Sequence, residues 1–234
     1  MSRRLLTSLL DGNDDHVAAL DEHAFDDCRE EQHPRVVSVC CSDSRVPQES
    51  MFGANVPGFL FTAGNIGNRV SDAVGDETVL DGSVAYPLAH ADTEIVAVVG
   101  HTGCGAVGAA MVAARDGTYP SEPGVRADVA ELVPIVENGL DHPAVDVTDP
   151  ETSVHNQLVE HNVHEQVAFV RDSDEAAAAD VYGFVYDFHR AYGETDGAVY
   201  LVNANGERDP DALAELVGDG HDEHVATLLS TIHG

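Results

Sequence analysis

Two short polar clusters carry the side chains in this sequence best suited to chemistry: Cys41-Ser42-Asp43-Ser44-Arg45 and His101-Thr102-Gly103-Cys104-Gly105. Thiolate and imidazole are the donors that a zinc ion accepts in tetrahedral geometry, and a catalytic zinc takes three protein ligands and leaves its fourth position to solvent. Cys41, His101 and Cys104 make up such a set. The His-x-x-Cys spacing lets two donors of one tight turn reach one ion, and a cysteine at the start of a helix has its thiolate favoured by the helix dipole. Asp43 and Arg45 read as a carboxylate with a cation that keeps it ionised and aimed. The plain alternative is a set of buried structural cysteines beside a surface ion pair of small energetic worth. Residue types and spacing alone leave both readings open.

These clusters need elements that bring them together. Residues 35–41, Arg-Val-Val-Ser-Val-Cys-Cys, predict a buried strand that ends where the first cluster begins. Residues 95–99 are continuously apolar, as expected of a parallel strand covered on both faces, and the run 94–99 stops at Gly100-His101. Further strands are predicted at 58–63, 181–186 and 198–202. Helices are predicted at 14–32, 72–91, 104–114, 125–138 and 152–171, with one or two more in the acidic tail 209–232. The alternation predicts an α/β fold: a mostly parallel central β-sheet, four parallel strands plus an edge strand, flanked by helices. Ligands of such sheets bind at the carboxyl ends of the strands, so both clusters can share one crevice. The chain reads as one domain over 1–234, with an N-terminal helical arm over about 1–32 and an acidic tail over about 206–234.

Composition narrows the partners. Asp and Glu number 42 against 11 basic residues, all of them Arg, for a formal charge of −31. Nucleic acid and anionic membranes need clustered cations, so neither is an expected partner. In molar salt the screening length shrinks to about 3 Å, which relieves the self-repulsion of such a chain. Adaptation to high salt is therefore expected. The apolar residues 5–10 follow Arg3 and Arg4, are too short to span a bilayer and lack a small-residue cleavage site. Neither a secretory signal nor a membrane span is expected, and the four cysteines read as thiols of a reducing cytoplasm, with Cys28 and Cys40 structural.

The segments Cys41-Ser42-Asp43-Ser44-Arg45-Val46 and His101-Thr102-Gly103-Cys104-Gly105-Ala106-Val107 resemble the two signatures of the β-class carbonic anhydrases. Similarity runs from about residue 14 to 205 and includes 160–167 and 181–187. The resemblance implies one zinc ion per subunit on Cys41, His101 and Cys104, with Asp43 and Arg45 as a dyad beside the open position. It implies that Gln32 binds a substrate oxygen, that Gly105 offers its N–H to bicarbonate, and that Phe61, Ile66 and Tyr86 line a carbon dioxide pocket supplied partly by a neighbouring subunit. The implied reaction is reversible hydration of carbon dioxide to bicarbonate and a proton, in a homodimer or homotetramer. Two departures stand out: Gly64 where members carry Arg, with Arg69 nearby, and Ser38 where bacterial members with a noncatalytic bicarbonate site carry Trp. Inhibition through that site is not expected here, and the chain is closer to the plant type.

Two thiolates cancel the charge of a zinc ion, so its water is expected to be less acidic than in a three-histidine site and activity to rise with pH in the alkaline range. Asp43 is suited to accept a hydrogen bond from the attacking oxygen, and Arg45 to orient Asp43. None of the 13 histidines singles itself out as a proton shuttle. Rival functions are hydrolysis of another small linear molecule, carbon disulfide or carbonyl sulfide, on the same scaffold, and a noncatalytic zinc- or bicarbonate-binding module.

Overall fold

The computed structural model describes residues 2–230. Its centre is a five-stranded sheet in the order Leu60–Asn65, Val36–Cys41, Ile95–His101, Asp180–Asp187, Ala198–Ala204. Strands β1 (Val36–Cys41), β2 (Leu60–Asn65), β5 (Ile95–His101) and β6 (Asp180–Asp187) are parallel, and β7 (Ala198–Ala204) closes one edge antiparallel to β6. The predicted α/β architecture is the one observed.

The alternation of side chains along a strand decides which layer each residue joins. In β1 and β5, Val37, Val39, Val96 and Val98 enter the main core, whereas Cys40, Ala97 and Val99 enter a smaller core on the opposite face. Both faces are covered, which is why β5 is apolar at every position up to Gly100. The main core lies under α4 (Gly105–Asp116), α5 (Pro123–Asp141) and α6 (Glu151–Arg171). Helix α6 buries Val154, Leu158, Val163 and Val167 against the sheet and also buries Gln157, Glu160, His161, Asn162, His164 and Gln166.

Two expected helices are corrected. Helix α1 spans Ser2–Ala19, so it takes in the leucine cluster and the Asp11-Gly12-Asn13-Asp14 stretch, and residues 20–35 are turns and extended chain where a helix over 14–32 was expected. Beyond Ala19 the chain turns on local bonds instead of a helical ladder, as where the His23 N–H donates to Asp21. Residues 71–80 form a hairpin, β3 (Ser71–Val74) paired antiparallel with β4 (Glu77–Leu80), rather than the start of a long helix. Gly75, at φ +65°, supplies the left-handed turn residue that a helix reading ignores. Helix α3 (Gly82–His90) starts only after Asp81 accepts from the Ser83 N–H. A four-residue helix α2 (Gln48–Met51) and α7 (Pro210–Val217) complete the chain. Among the described residues no helix is long and apolar enough to cross a membrane.

Candidate metal centre

Sheet register places the two polar clusters side by side. Val36 pairs with Ile95 and Cys40 with Val99, so β1 and β5 run out at the same edge with Cys41 and His101 at their carboxyl ends. On the other flank Cys41 pairs with Asn65, the last residue of β2. Gly103, at φ +66°, then turns the chain so that Cys104 stands as the N-cap of α4. A Cβ there would lie 2.6 Å from the tip of the exposed His189 ring, which would have to shift, and the left-handed backbone itself favours glycine.

One donor atom each from Cys41, His101 and Cys104 lies within 4.8 Å of the other two, and all three residues are buried. The sulfurs stand 3.8 Å apart. His101 Nδ1–H donates to the Thr102 carbonyl (3.1 Å), which fixes the orientation of the ring and leaves Nε2 as the atom free to meet the two sulfurs. That buried Nε2 has no hydrogen-bond partner. Proton affinities point the same way. The Cys41 thiol is pulled down to about 5, chiefly by the hydrogen bond from Cys104, while the same bond and burial push Cys104 well above the usual thiol range. The two buried sulfurs therefore share a hydrogen bond beside a ring nitrogen without a partner. A dication with thiolate and imidazole preferences satisfies all three donors at once, so the set fits zinc. Cys40 faces the other core, where burial first of all pushes its thiol up to about 12.

Asp43 follows in a tight turn. Its carboxylate accepts from the Arg45 backbone N–H (2.9 Å), from Nε (2.9 Å) and from Nη2 (2.7 Å). Those bonds hold it below the usual carboxylate range. Its Oδ2 stands 3.7 Å from His101 Nε2, so the predicted dyad reaches the metal donors.

Other expected site residues divide by position. Ile66 follows Asn65 at the same sheet edge, and Gly105 opens α4 with free space over its Cα. Phe61 pairs with Val37, four residues before Asn65 on β2, which puts it about 13 Å down the strand. Tyr86, with its ring 6.2 Å from that of Phe61, shares that lower position. Gln32 is exposed ahead of Val36, beyond the opposite end of β1 from Cys41. These three are not brought to the centre of their own chain. A Cβ at Gly64 would come within 3.2 Å of Ser42 Oγ, and Arg69 is committed to Asp128 at 2.6 Å. Ser38 is buried with an unpartnered hydroxyl.

Sequence reasoning missed the groups that brace the centre. His155 Nε2–H donates to the Cys104 carbonyl (2.8 Å), and Asn156 accepts from the Gly103 N–H (2.9 Å). Thr102 Oγ1–H donates to the buried carboxylate of Asp187 (3.2 Å). Asn162 donates to the Gly67 carbonyl (3.2 Å) and Gln166 accepts from the Val70 N–H (2.9 Å), pinning the loop after β2. Asn162, Gln166 and Asp187 lay inside stretches noted for resemblance, but a polar residue on a helix or strand does not disclose which distant backbone it serves.

Residues 36–193 match the carbonic anhydrase family model. The chain belongs to the β-class carbonic anhydrase family. It is 34% identical over 132 residues to carbonic anhydrase 2 of Mycobacterium tuberculosis, covering 54% of this chain and 59% of that one. It is 31% identical over 162 residues to the carbonic anhydrase of Pseudomonas aeruginosa, covering 67% and 70%. The chain thus spans less than two thirds of the length of the mycobacterial relative. Among solved structures, the Coccomyxa β-carbonic anhydrase in complex with acetazolamide aligns with a TM-score of 0.63 at 26% identity, covering 78% of this chain and 82% of that one. Tetrameric β-carbonic anhydrases of Sordaria macrospora share the fold, with a TM-score of 0.68 at 19% identity and coverage of 86% and 97%. Enzymes of this family are zinc enzymes, and the Cys41, His101 and Cys104 cluster fits that metal.

Proposed function

We propose that this chain catalyses the reversible hydration of carbon dioxide to bicarbonate and a proton, with Cys41, His101 and Cys104 holding zinc. The observation that carries the reading is the convergence of those three donors within 4.8 Å, with the Arg45-locked carboxylate of Asp43 3.7 Å from His101 Nε2. Bound there, zinc supplies a Lewis acid that brings the acidity of water from about 15.7 toward the neutral range. Asp43, ionised through its pairing with Arg45, accepts a proton-side hydrogen bond from the attacking oxygen and turns that oxygen's lone pair to the carbon. Gly105 offers a backbone N–H to the product anion, and Ile66 gives an apolar wall to a nonpolar gas. Gln32, Phe61 and Tyr86 act at the centre of a second copy, since their place low on the sheet keeps them from their own.

The uncovered apolar side chains of α1, with Leu5 65% and Leu9 73% exposed, support a homodimer or larger homo-oligomer. Gly64 and Ser38 support a member without the noncatalytic bicarbonate site. The −31 charge supports work in high salt, and the free thiols support a reducing cytoplasm. Metal analysis with stopped-flow hydration tests the reading: Cys104→Ser loses zinc and activity, and Asp43→Ala keeps zinc and loses rate. A zinc-loaded wild type that hydrolyses carbonyl sulfide or carbon disulfide but leaves carbon dioxide hydration at the background rate would refute it.

A further inference from the structure

The chain leaving β6 carries one aromatic side chain that touches both halves of the centre. The Phe188 ring lies 5.7 Å from the His101 ring, with 20° between their planes. The guanidinium carbon of Arg45 stands 4.4 Å from the Phe188 centroid. Asp43 closes the circuit, 2.7 Å from Arg45 Nη2 and 3.7 Å from His101 Nε2. The backbone beneath the ring is tied to the turn that carries His101. Phe188 N–H donates to Thr102 Oγ1 (3.2 Å), and Thr102 N–H donates to the Tyr186 carbonyl (3.1 Å). Asp187, buried between them, accepts from Thr102 Oγ1–H and from the N–H groups of His189 and Tyr192.

Arg45 needs such support. Its grip on Asp43 is bidentate, but its side chain is 52% exposed, so water competes for the guanidinium and a long side chain regains freedom by leaving. A guanidinium laid on an aromatic face keeps an attraction that water replaces poorly, and its planar fork stays oriented. We infer that Phe188 is a positioning residue: its ring holds Arg45 in the plane from which it grips Asp43, and it links that dyad to the imidazole of His101. This rests on the roles proposed above for Asp43 and Arg45.

Phe188→Leu keeps apolar bulk and removes the π face, whereas Phe188→Tyr keeps the face. Zinc content is expected to stay at one per chain in both. The kcat/KM for hydration is expected to fall about tenfold in Phe188→Leu, to stay within about twofold in Phe188→Tyr, and to fall no further when Phe188→Leu is added to Arg45→Ala. A second readout needs no turnover. The Arg45 Nε–H NMR signal is expected to be shifted by the ring current and slow to exchange in the wild type, and to move to the position of a free arginine and exchange rapidly in Phe188→Leu. Wild-type rates in Phe188→Leu, or an undiminished tenfold loss in the Arg45→Ala background, would overturn the inference. Loss of zinc in Phe188→Leu would overturn it too, by assigning the ring to metal retention. A wild type without hydration activity but with the NMR response intact would sink the proposed reaction and leave the positioning role standing.

Discussion

Gly67→Ala should be among the most damaging single-methyl additions in this chain. Gly67 sits at φ +85°, in the loop that follows β2, and a Cβ there would lie 2.5 Å from Leu132 Cδ1 and 3.3 Å from Cδ2 and Cγ. A left-handed backbone costs alanine roughly 1–2 kcal/mol relative to glycine. Overpacking a filled core adds about 1–3 kcal/mol, and Leu132 is fully buried in α5, so its methyl groups have nowhere to go. The sum is about 2–5 kcal/mol. It should be measured by urea unfolding at fixed protein concentration, zinc and salt, because oligomerisation and metal binding both shift the midpoint. The double variant with Leu132→Ala separates the two contributions: the clash disappears and the backbone cost remains, giving a favourable coupling of about 1–3 kcal/mol. The damage should reach the metal, since Asn65, two residues before Gly67, pairs with Cys41 at the sheet edge and Asn162 holds the Gly67 carbonyl. Zinc should therefore dissociate faster from Gly67→Ala. A loss below about 1 kcal/mol, or strict additivity with Leu132→Ala, would refute the reasoning.

Acid stability should depend on His161, whose ring is 1% exposed with both nitrogens unpartnered and whose pKa is lowered to about 4, chiefly by burial and then by His142 and His164. The unfolded chain then binds a proton that the folded one refuses, so stability should fall as pH drops from about 6.5 through 4, by on the order of 2–3 kcal/mol. His161→Leu should flatten that slope in thermal melts taken across this range, and an unchanged slope would count against it. Thr102→Val removes a buried hydroxyl that serves Asp187, Phe188 and His189, and should cost about 1–3 kcal/mol in denaturant unfolding while leaving the volume of the site unchanged. Dialysis from molar salt into dilute buffer should lower the melting temperature through self-repulsion of the −31 charge, and a melting temperature independent of salt would contradict this.

Much of the centre was legible because its determinants are local. A β-branched run before Cys41 and an apolar run before His101 are each sufficient to predict a strand, and parallel strands in one sheet present their carboxyl ends at one edge. Asp43 and Arg45 lie two residues apart, so a single turn brings them together. The misread stretches fail for equally local reasons. Val74 and Val79 suit either a helix face or a hairpin, and the left-handed Gly75 between them settles it.

What tertiary structure alone decided is which distant groups serve the centre. His155 reaches the Cys104 carbonyl from α6, Thr102 and Asp187 join two strands, and Phe188 lies against Arg45 across 143 residues of chain. Each of these depends on helix placement and strand register, and a shift of one residue along a strand would turn its side chains to the other face. Ligand identity, by contrast, is carried by the residue types themselves, because a thiolate or imidazole brings its metal preference wherever the fold delivers it.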